Sequence, residues 1–414
     1  MAREMKNSGV KWIGDIPKGW KLIPNKYVMH KIKEICPVYN GEDILSLSVR
    51  GVNVRDLDAG GKMPATFNGY QRVHIGNLLM CLFDMDVTPC CIGRINNEGL
   101  TSPAYSQFVL HQGFDRNYFY YYYLMLDNSK ELVHLAKNLR HTITEEQLGN
   151  IKVAFPPLSE QQAIADFLDA KCVEIDGLVS DLDSEVKTLA EYKKSFIAET
   201  VTHGLNPNVP MKSSGIPWAD TIPAHWKVQK GKYTFTLLQR PVKENDGVVT
   251  CFRDGEVTLR SNRREDGFTM SVKEYGYQGI EPGDLVVHGM DGFAGSIGIS
   301  DSRGKGTPVL NVLDSDQNKR YLMYYLRNMA YGDVFLALST GIRVRSCDLS
   351  WKKLGEIRIV LPPIEEQNQI ADYIDRKLVE IQNAASNKLQ QIETMKAYKA
   401  SLIYEYVTGK KQVI

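Results

Sequence analysis

The sequence contains an internal repeat, and this repeat constrains the fold more than any other feature. Residues 12–21 read W-I-G-D-I-P-K-G-W-K and return at 218–227 as W-A-D-T-I-P-A-H-W-K, with five of ten residues shared. A second pair, 156–171 and 362–377, shares nine of sixteen positions at the same offset of 206 residues. Two such offsets fill almost all of the 414 residues. The sequence therefore predicts a tandem duplication and a pseudo-twofold molecule.

Each repeat divides into a globular part and a helical part. The globular parts carry short apolar runs broken by Gly, Pro and Asn, which is typical of strands and turns. A Pro-Pro pair ends this pattern in each repeat, and apolar residues then recur with the alternating 4,3 spacing of a heptad. The predicted segments are 1–155 (globular), 156–206 (helix), 207–361 (globular) and 362–414 (helix). Ser159 and Gln162 form an S-x-x-Q pattern that predicts a capping box at the first helix start.

The heptad positions of the two helical segments predict a coiled coil. The first seam consists of Leu168, Cys172, Ile175, Val179, Leu182, Val186, Leu189 and Phe196, and Lys193 interrupts it. The second consists of Ile374, Leu378, Ile381, Ala385, Ile392, Met395 and Leu402, and is weakened by Lys388 and Lys399. A helix over 160–201 would be about 60 Å long. This length favours antiparallel pairing of the two helices over the alternative, in which each packs on its own globular part.

Charge is unevenly distributed although the chain as a whole carries only +1. Segments 1–155 and 207–361 carry +3 and +4, whereas 156–206 carries −6 and 362–414 is neutral. This distribution favours globular parts that touch phosphates and a first helix that does not. Ordinary solvated surface charge remains an alternative explanation.

The candidate DNA-binding residues lie in loop-like stretches of the globular parts. The densest cluster has four arginines within 253–264, around a glycine turn, and 50–55 looks like the same region of the first repeat. A planar guanidinium can pair with O6 and N7 of guanine, although a solvated loop or an internal ion pair would also explain each residue. The candidates are Arg50, Arg55, Lys62, Arg72, Arg94, Arg140, His141, Arg253, Arg260, Arg263, Arg264, Arg303, Lys305, Arg343 and Arg345.

The aromatic run at 118–123, Y-F-Y-Y-Y-Y, has two interpretations. Aromatic side chains could stack on bases. The counterpart at 321–325, Y-L-M-Y-Y, is more aliphatic, and its spacing suits a helix. The comparison favours a helix buried in the core.

Signatures of catalysis and of metal binding are absent from the sequence. There is no N-P-P-Y or D-P-P-Y methylation motif, no phosphate-binding G-x-x-x-x-G-K-[ST] loop and no H-E-x-x-H, and the eight histidines lack metal-ligand spacing. The seven cysteines form no C-x-x-C pair, so neither disulfides nor a zinc ribbon are predicted. No apolar stretch is long enough for a membrane span or a signal peptide, so we expect a cytoplasmic protein. The pattern predicts a recognition protein rather than an enzyme.

Four features of the sequence together are specific for one protein family. They are the repeat, the W-x3-I-P-x2-W opening, the P-P-[LI]-x-E-Q helix starts, and the Y-K-x-S-[FL]-I stretches at 192–197 and 398–403. The chain resembles the specificity subunit of type I restriction-modification systems over essentially its full length. The resemblance implies an α+β fold with two tandem target-recognition domains of mixed α/β structure. It further implies that two long helices separate these domains and form an antiparallel coiled coil, with pseudo-twofold symmetry.

The resemblance also implies the function and the partners. Each domain would read one half of a split site in double-stranded DNA. The subunit would recruit two methyltransferase subunits, which use S-adenosylmethionine, and nuclease-translocase (restriction) subunits, which use ATP and Mg²⁺. It would itself hold no cofactor and have no catalytic residue. A free-standing DNA methyltransferase or nuclease, and a coiled-coil scaffold that does not bind DNA, are the alternatives.

Overall fold

The computed structural model describes residues 3–59, 64–136, 141–263, 275–337 and 349–413. The chain divides into two compact units, which differ from the predicted segments because each long helix is shared between them. Unit 1 comprises Met1–Asp183 and Gln390–Ile414, and unit 2 comprises Ser184–Leu389. The predicted division into four segments stays a prediction.

Unit 1 is built from short antiparallel strands and two helices besides the long ones. The helices are α1 (Arg116–Asn128) and α2 (Glu145–Asn150). The strands are β1 (Met5–Asn7), β2 (Asp15–Pro17), β3 (Lys21–Pro24), β4 (Met29–Ile32), β5 (Glu34–Ile35), β6 (Leu45–Ser48), β7 (Gly51–Val54), β8 (Gln71–Val73), β9 (Leu78–Met80), β10 (Ile92–Arg94), β11 (Gly99–Thr101), β12 (Ser106–Leu110) and β13 (Lys152–Phe155). The largest sheet has the order β10-β9-β12-β4, a second has the order β11-β8-β5, and β1-β2, β3-β13 and β6-β7 pair in twos.

The tyrosine-rich helix α1 lies in the core of unit 1. Tyr118, Phe119 and Tyr122 are fully buried, and the Asp115 side chain caps the helix by accepting from the backbone N–H of Tyr118 at 2.8 Å. The Tyr118 hydroxyl lies 2.9 Å from the carbonyl oxygen of Val407, near the C-terminal end of the chain. The prediction of a core helix is confirmed: five of the six aromatic residues of this run are buried, and the half-buried ring of Tyr120 lies against the Arg94 guanidinium, which leaves no ring free to stack on a base.

Unit 2 repeats this plan with other strand lengths. Its short helices are α4 (Gly231–Thr234), α5 (Lys319–Tyr331), α6 (Val334–Ala337) and α7 (Trp351–Leu354). Its strands are β14 (Met211–Ser213), β15 (Thr221–Pro223), β16 (Lys227–Lys230), β17 (Thr236–Leu237), β18 (Val249–Cys251), β19 (Val257–Leu259), β20 (Gln278–Ile280), β21 (Leu285–His288), β22 (Ile297–Ile299), β23 (Gly304–Gly306), β24 (Leu310–Asp314) and β25 (Arg358–Leu361). The four-stranded sheet has the order β17-β24-β21-β22, and the remaining strands pair in twos.

The two long helices, α3 (Leu158–His203) and α8 (Ile364–Val407), have 46 and 44 residues. The capping box predicted at Ser159 is wrong, because α3 begins one residue earlier and Ser159 lies inside its first turn. The Gln161 side chain holds this helix start instead: its amide donates to the carbonyl of Pro156 at 2.9 Å and accepts from the backbone N–H of Asp115 at 2.8 Å.

Within each unit a part of α3 packs antiparallel against a part of α8. In unit 1 the rings of Phe167 and Tyr406 lie 4.4 Å apart, and Asp176 accepts from Lys399 at 2.6 Å. In unit 2 the ring of Phe196 lies 5.5 Å from that of Tyr373. The direction is antiparallel because the residue number rises along α3 as it falls along α8.

The predicted seam positions are the more buried positions of both helices. Leu168, Cys172 and Ile175 are buried in α3, and the later seam residues up to Leu189 are half-buried among exposed neighbours. In α8 the residues Ile374, Ile381, Ile392 and Leu402 are buried, and Leu378, Ala385 and Met395 are half-buried.

The lysines of the second seam have carboxylate partners on the other long helix. Lys399 pairs with Asp176 in unit 1, and Lys388 pairs with Glu185 in unit 2. Since each lysine is half-buried and paired, it extends the apolar seam with its aliphatic stem while its ammonium group is neutralised. The expectation that these lysines weaken the second helix has no support in the contacts.

Two negative findings apply to the residues that the structure describes. No helix among them is long and apolar enough to cross a membrane. No group of three or more His, Cys, Asp or Glu side chains among them is arranged to hold a metal ion.

Candidate nucleic-acid interface

Five of the predicted DNA-binding residues lie outside the described residues: Lys62, Arg140, Arg264, Arg343 and Arg345. Of the other ten, three form ion pairs within their own unit, namely Arg72, Arg94 and Arg303. Five lie at a hairpin of either unit or around a cleft in unit 2, namely Arg50, Arg55, Arg253, Arg260 and Arg263. His141 and Lys305 lie elsewhere.

Arg94, at the end of β10, contacts the long helix rather than presenting itself to a ligand. Its guanidinium donates to Asp169 of α3 at 2.7 Å and lies 4.5 Å from the ring centre of Tyr120. Asp169 also accepts from the hydroxyl of Tyr121 at 2.7 Å. Burial is the largest single influence on the pKa of Arg94 and would lower it, but the hydrogen bond to Asp169 and the charges of Asp169 and the neighbouring tyrosines together raise the pKa. Arg94 therefore joins the globular part of unit 1 to α3.

In unit 2 the carboxylate that corresponds to Asp169 binds an arginine from a different element. Asp375 of α8 lies 206 residues after Asp169 and accepts from the hydroxyl of Tyr324 and from Arg320. The arginine thus comes from α5 in unit 2 and from β10 in unit 1. Since both copies retain the aspartate and the tyrosine, this contact is a shared attachment of each helix to its globular part.

Arg72 and Arg303 are each held by two carboxylates. Arg72 lies 3.2 Å from Glu42 and 3.4 Å from Glu34. Arg303 pairs with Asp246 at 2.8 Å and also with Glu281, and its hydrogen bonds lower the pKa of Asp246 to about 2. A guanidinium that is neutralised twice contributes little positive potential to a phosphate. The structure places both residues in internal ion pairs.

His141 and Lys305 are half-buried. His141 has φ of +44°, and its Nε2 lies 3.8 Å from Oδ2 of Asp86. Lys305 lies in β23, whose partner strand is β20.

Both units present arginines at a hairpin in the corresponding part of the repeat. In unit 1, Arg50 is exposed in the turn between β6 and β7, and the half-buried Arg55 follows β7. In unit 2, Arg253 is exposed in the turn between β18 and β19, and Arg260 follows β19. The sequence comparison of 50–55 with 253–264 therefore matches two hairpins of the same kind.

The hairpin of unit 2 borders a cleft of about 540 Å³ that contains the densest predicted cluster. Its positive side chains are Arg253, Arg260 and Arg263. The remaining lining residues are Val249, Thr250, Cys251, Phe252, Asp254, His288, Asp291, Ser296, Thr307 and Leu310. The cleft therefore combines guanidinium donors with carboxylate acceptors, and both kinds of group can read base edges.

Arg263 closes one side of the cleft through local contacts. Its guanidinium makes two hydrogen bonds to Asp254, of 3.0 and 2.5 Å, lies 3.2 Å from Glu256 and stacks 4.3 Å from the ring centre of Phe252. Burial alone would raise the pKa of Asp254, but the bonds from Arg263 and from the backbone of Glu256 outweigh it and the pKa is lowered. Arg263 thus stiffens the hairpin.

Two side chains on the other side of the cleft were not predicted. Asp291 accepts from Arg253 at 2.8 Å, and Nδ1 of His288 accepts from the backbone N–H of Asp291 at 3.0 Å. Burial lowers the pKa of His288, so its imidazole is neutral at pH 7 and can act as this acceptor. Neither residue stands out in the sequence, because the contact joins turns 38 residues apart.

The buried Ser296 also lines the cleft, and its hydroxyl has no hydrogen-bond partner among the described residues. An unpaired buried hydroxyl costs about 1–3 kcal/mol unless a ligand or water satisfies it. The cleft therefore has an unused hydrogen-bonding group on its wall.

Comparison with known proteins agrees with the sequence prediction. The family model for the type I restriction modification DNA specificity domain matches residues 95–175. The chain is 25% identical, over 97% of its length and 96% of the relative's, to a protein of Methanocaldococcus jannaschii named for the specificity subunit of the type I restriction enzyme MjaX. It is 21% identical to the StySPI specificity subunit of Salmonella potsdam, over 62% of this chain and 58% of that protein.

Solved structures share the fold. A chain from the type I R-M system, solved in work on complex assembly and conformational transition, superposes with a TM-score of 0.67 at 13% identity, covering 96% of this chain and 99% of that one. The HsdS subunit from Thermoanaerobacter tengcongensis superposes with a TM-score of 0.53 at 14% identity, covering 96% and 98%. These structures confirm the α+β class.

The matched relatives are named specificity subunits, the non-catalytic component of type I restriction-modification systems. The chain is similar to this class over nearly its whole length. The alternative of a free-standing methyltransferase or nuclease is therefore set aside, as is a scaffold that does not bind DNA.

Proposed function

We propose that the chain reads a bipartite, asymmetric site in double-stranded DNA, with one half-site for each globular part. The observation that carries this proposal is the pair of corresponding hairpins, which present Arg50 in unit 1 and Arg253 in unit 2. The surroundings of the two arginines differ: among the residues that the structure describes, Arg253 pairs with the carboxylate of Asp291, whereas Arg50 pairs with none. Two different readers require two different half-sites.

In this proposal α3 and α8 form an antiparallel coiled coil that sets the spacing of the half-sites, and the two repeats are related by pseudo-twofold symmetry. A helix of 46 residues is about 69 Å long, and the seam positions run from Leu168 to Phe196 on α3 and from Ile374 to Leu402 on α8. For two major-groove readers to face the same side of the duplex, the half-site centres must lie about one turn, roughly 10 bp, apart.

The chemistry would belong to partner subunits in the cytoplasm. The chain would recruit two methyltransferase subunits that use S-adenosylmethionine and restriction subunits that use ATP and Mg²⁺. The long helices carry exposed apolar side chains that such partner subunits would cover. These side chains are Leu158, Val173, Leu178, Tyr192, Ile364, Val379, Leu389 and Tyr398.

Methylome sequencing of a host that expresses the chain with its partner genes tests the proposal. We expect methylation at one asymmetric motif made of two specified parts and an unspecified spacer. Insertion of seven residues after Asp183 and seven after Leu389 keeps the heptad register and adds about 10 Å, or roughly 3 bp at 3.4 Å each. The spacer should lengthen accordingly.

The control replaces seven exposed helix residues without changing the helix length and should leave the spacer unchanged. A spacer that stays the same after the insertion would contradict the role of the helices. A single, continuous motif for the unaltered chain would contradict the two-reader proposal itself.

A further inference from the structure

Helix α5 holds the turn that carries Arg253. The turn between β18 and β19 closes with the backbone N–H of Phe252 donating to the carbonyl of Glu256 at 2.8 Å. Arg327 of α5 donates to the carbonyl of Gly255 at 2.7 Å. Gly255 has φ of +91°, and a Cβ there would collide with the Arg327 guanidinium. The turn therefore needs glycine, and it fixes the backbone from which Arg253 projects.

Asp291 is positioned with comparable rigidity. Its backbone N–H donates to His288, and its carbonyl accepts from the N–H groups of Ala294 at 2.9 Å and of Ser296 at 3.3 Å. Its carboxylate is about one-third exposed, and the side chain of Arg253 is 59% exposed. Two side chains from different turns thus meet at the mouth of the cleft with solvent access to both.

The pair presents donors and an acceptor side by side. Among the described residues, the one hydrogen bond made by the Arg253 guanidinium is from Nη2 to Oδ1 of Asp291. An arginine has five N–H donors, and a carboxylate oxygen has more than one acceptor position. In the major groove a G·C pair shows two acceptors, N7 and O6 of guanine, beside one donor, N4–H of cytosine.

We propose that Arg253 and Asp291 together read one G·C base pair in the half-site of unit 2, with Arg253 on guanine and Asp291 on the N4 amino group of cytosine. This inference rests on the proposed function and deepens it, because it names the base pair and the two side chains that specify it. Asp291 also pre-orients the guanidinium, so less side-chain entropy is lost on binding.

A phosphate contact is the competing role for Arg253, and the carboxylate argues against it. Asp291 lies 2.8 Å from the guanidinium and would repel a phosphate placed there. Arg263 is excluded as the base reader for a different reason: Asp254 occupies two of its nitrogens and Glu256 adds a third carboxylate oxygen. Arg253 is the arginine of the described cleft that combines exposure with a single carboxylate partner.

The test compares methylomes of hosts that express the full chain, or its variants, with the partner genes. Arg253→Lys keeps the charge but loses the planar, bidentate donor. We expect one G·C position in one half-site to lose discrimination by about 10- to 100-fold, while the other half-site stays unchanged. Asp291→Asn should relax the same base pair, since an amide presents donors as well as an acceptor. Arg358→Lys, an equivalent change at an exposed arginine of β25, is the control and should leave the motif unchanged.

The outcomes separate this inference from the proposed function. If Arg253→Lys leaves the methylation motif unchanged, Arg253 reads no base, and the G·C proposal alone is overturned. If Arg253→Lys weakens methylation equally at all sequences, Arg253 contacts a phosphate, and the G·C proposal alone is again overturned. A half-site of unit 2 without any G·C pair would also overturn it. No sequence-specific methylation by the unaltered chain would overturn the proposed function itself. Recognition of the other half-site shows that each variant is folded.

Discussion

Replacement of Gly409 by alanine tests whether the C-terminal end of the chain is an integral part of unit 1. Gly409 follows α8 with φ of +71°, and an added Cβ would lie 2.6 Å from Cγ and Cδ of Pro17 and 2.9 Å from Cη2 of Trp20. Both rings are buried, and the Trp20 indole N–H donates to Glu160 at 2.9 Å. Neither ring can move aside without breaking other contacts.

The expected loss of stability has two parts. A residue with a Cβ in the left-handed region costs about 1–2 kcal/mol, and overpacking a filled core costs about 1–3 kcal/mol. We therefore expect Gly409→Ala to lower the free energy of unfolding of unit 1 by about 3 kcal/mol. For a unit of about 200 residues this corresponds to a fall in Tm of about 6–12 °C.

Gly9→Ala is the matched control, because Gly9 has φ of +69° in the same unit but no atom within 4 Å of the added Cβ. It should lose only the backbone part, about 1–2 kcal/mol. Calorimetry of the full chain measures both variants, and hydrogen exchange shows whether unit 1 is the part destabilised. Equal losses for the two variants would refute the packing of the C-terminal end against Pro17 and Trp20.

Two further predictions concern ion pairs. Arg303 lowers the pKa of Asp246 to about 2, below its unfolded value of about 4. The stability that this pair adds is therefore present above pH 4 and is lost as the pH falls towards 2. In urea unfolding measured as a function of pH, Asp246→Asn should make the midpoint depend less on pH between 4 and 2. An unchanged pH dependence of the midpoint would count against the pair. Lys399→Met should change the free energy of unfolding by less than about 0.5 kcal/mol, since Asp176 is 61% exposed and the pair is screened; a loss above about 2 kcal/mol would contradict this reasoning.

The repeat and the heptads predicted the elements whose periodicity is strong. The core helix over the aromatic run 118–123 and the buried positions Leu168 and Ile175 follow directly from spacing, because the periodicity of a helix does not depend on what the helix packs against. The capping box failed because a local pattern at Ser159 competed with a tertiary contact, in which Gln161 holds the chain on both sides of the helix start.

The candidate site was less accessible to sequence reasoning. In the sequence, a basic loop residue that binds DNA, as proposed for Arg253, cannot be distinguished from one that pairs with a carboxylate of the same chain. Arg72 and Arg303 are residues of the second kind. The repeat did contain one usable signal: Asp169 and its counterpart Asp375 are retained in both copies, and both bind an arginine of the globular part. No comparable signal marks Asp291, since its partner is distant in the chain.

Replacement of one globular part by the other tests the two-reader account most directly. In a chain whose residues 207–361 are replaced by residues 1–155, with both long helices kept, methylome sequencing should find a motif in which the half-site of unit 1 occurs twice. The specified bases of the second half-site should disappear entirely. Retention of the original asymmetric motif by this chain would contradict the claim that each globular part reads its own half of the DNA site.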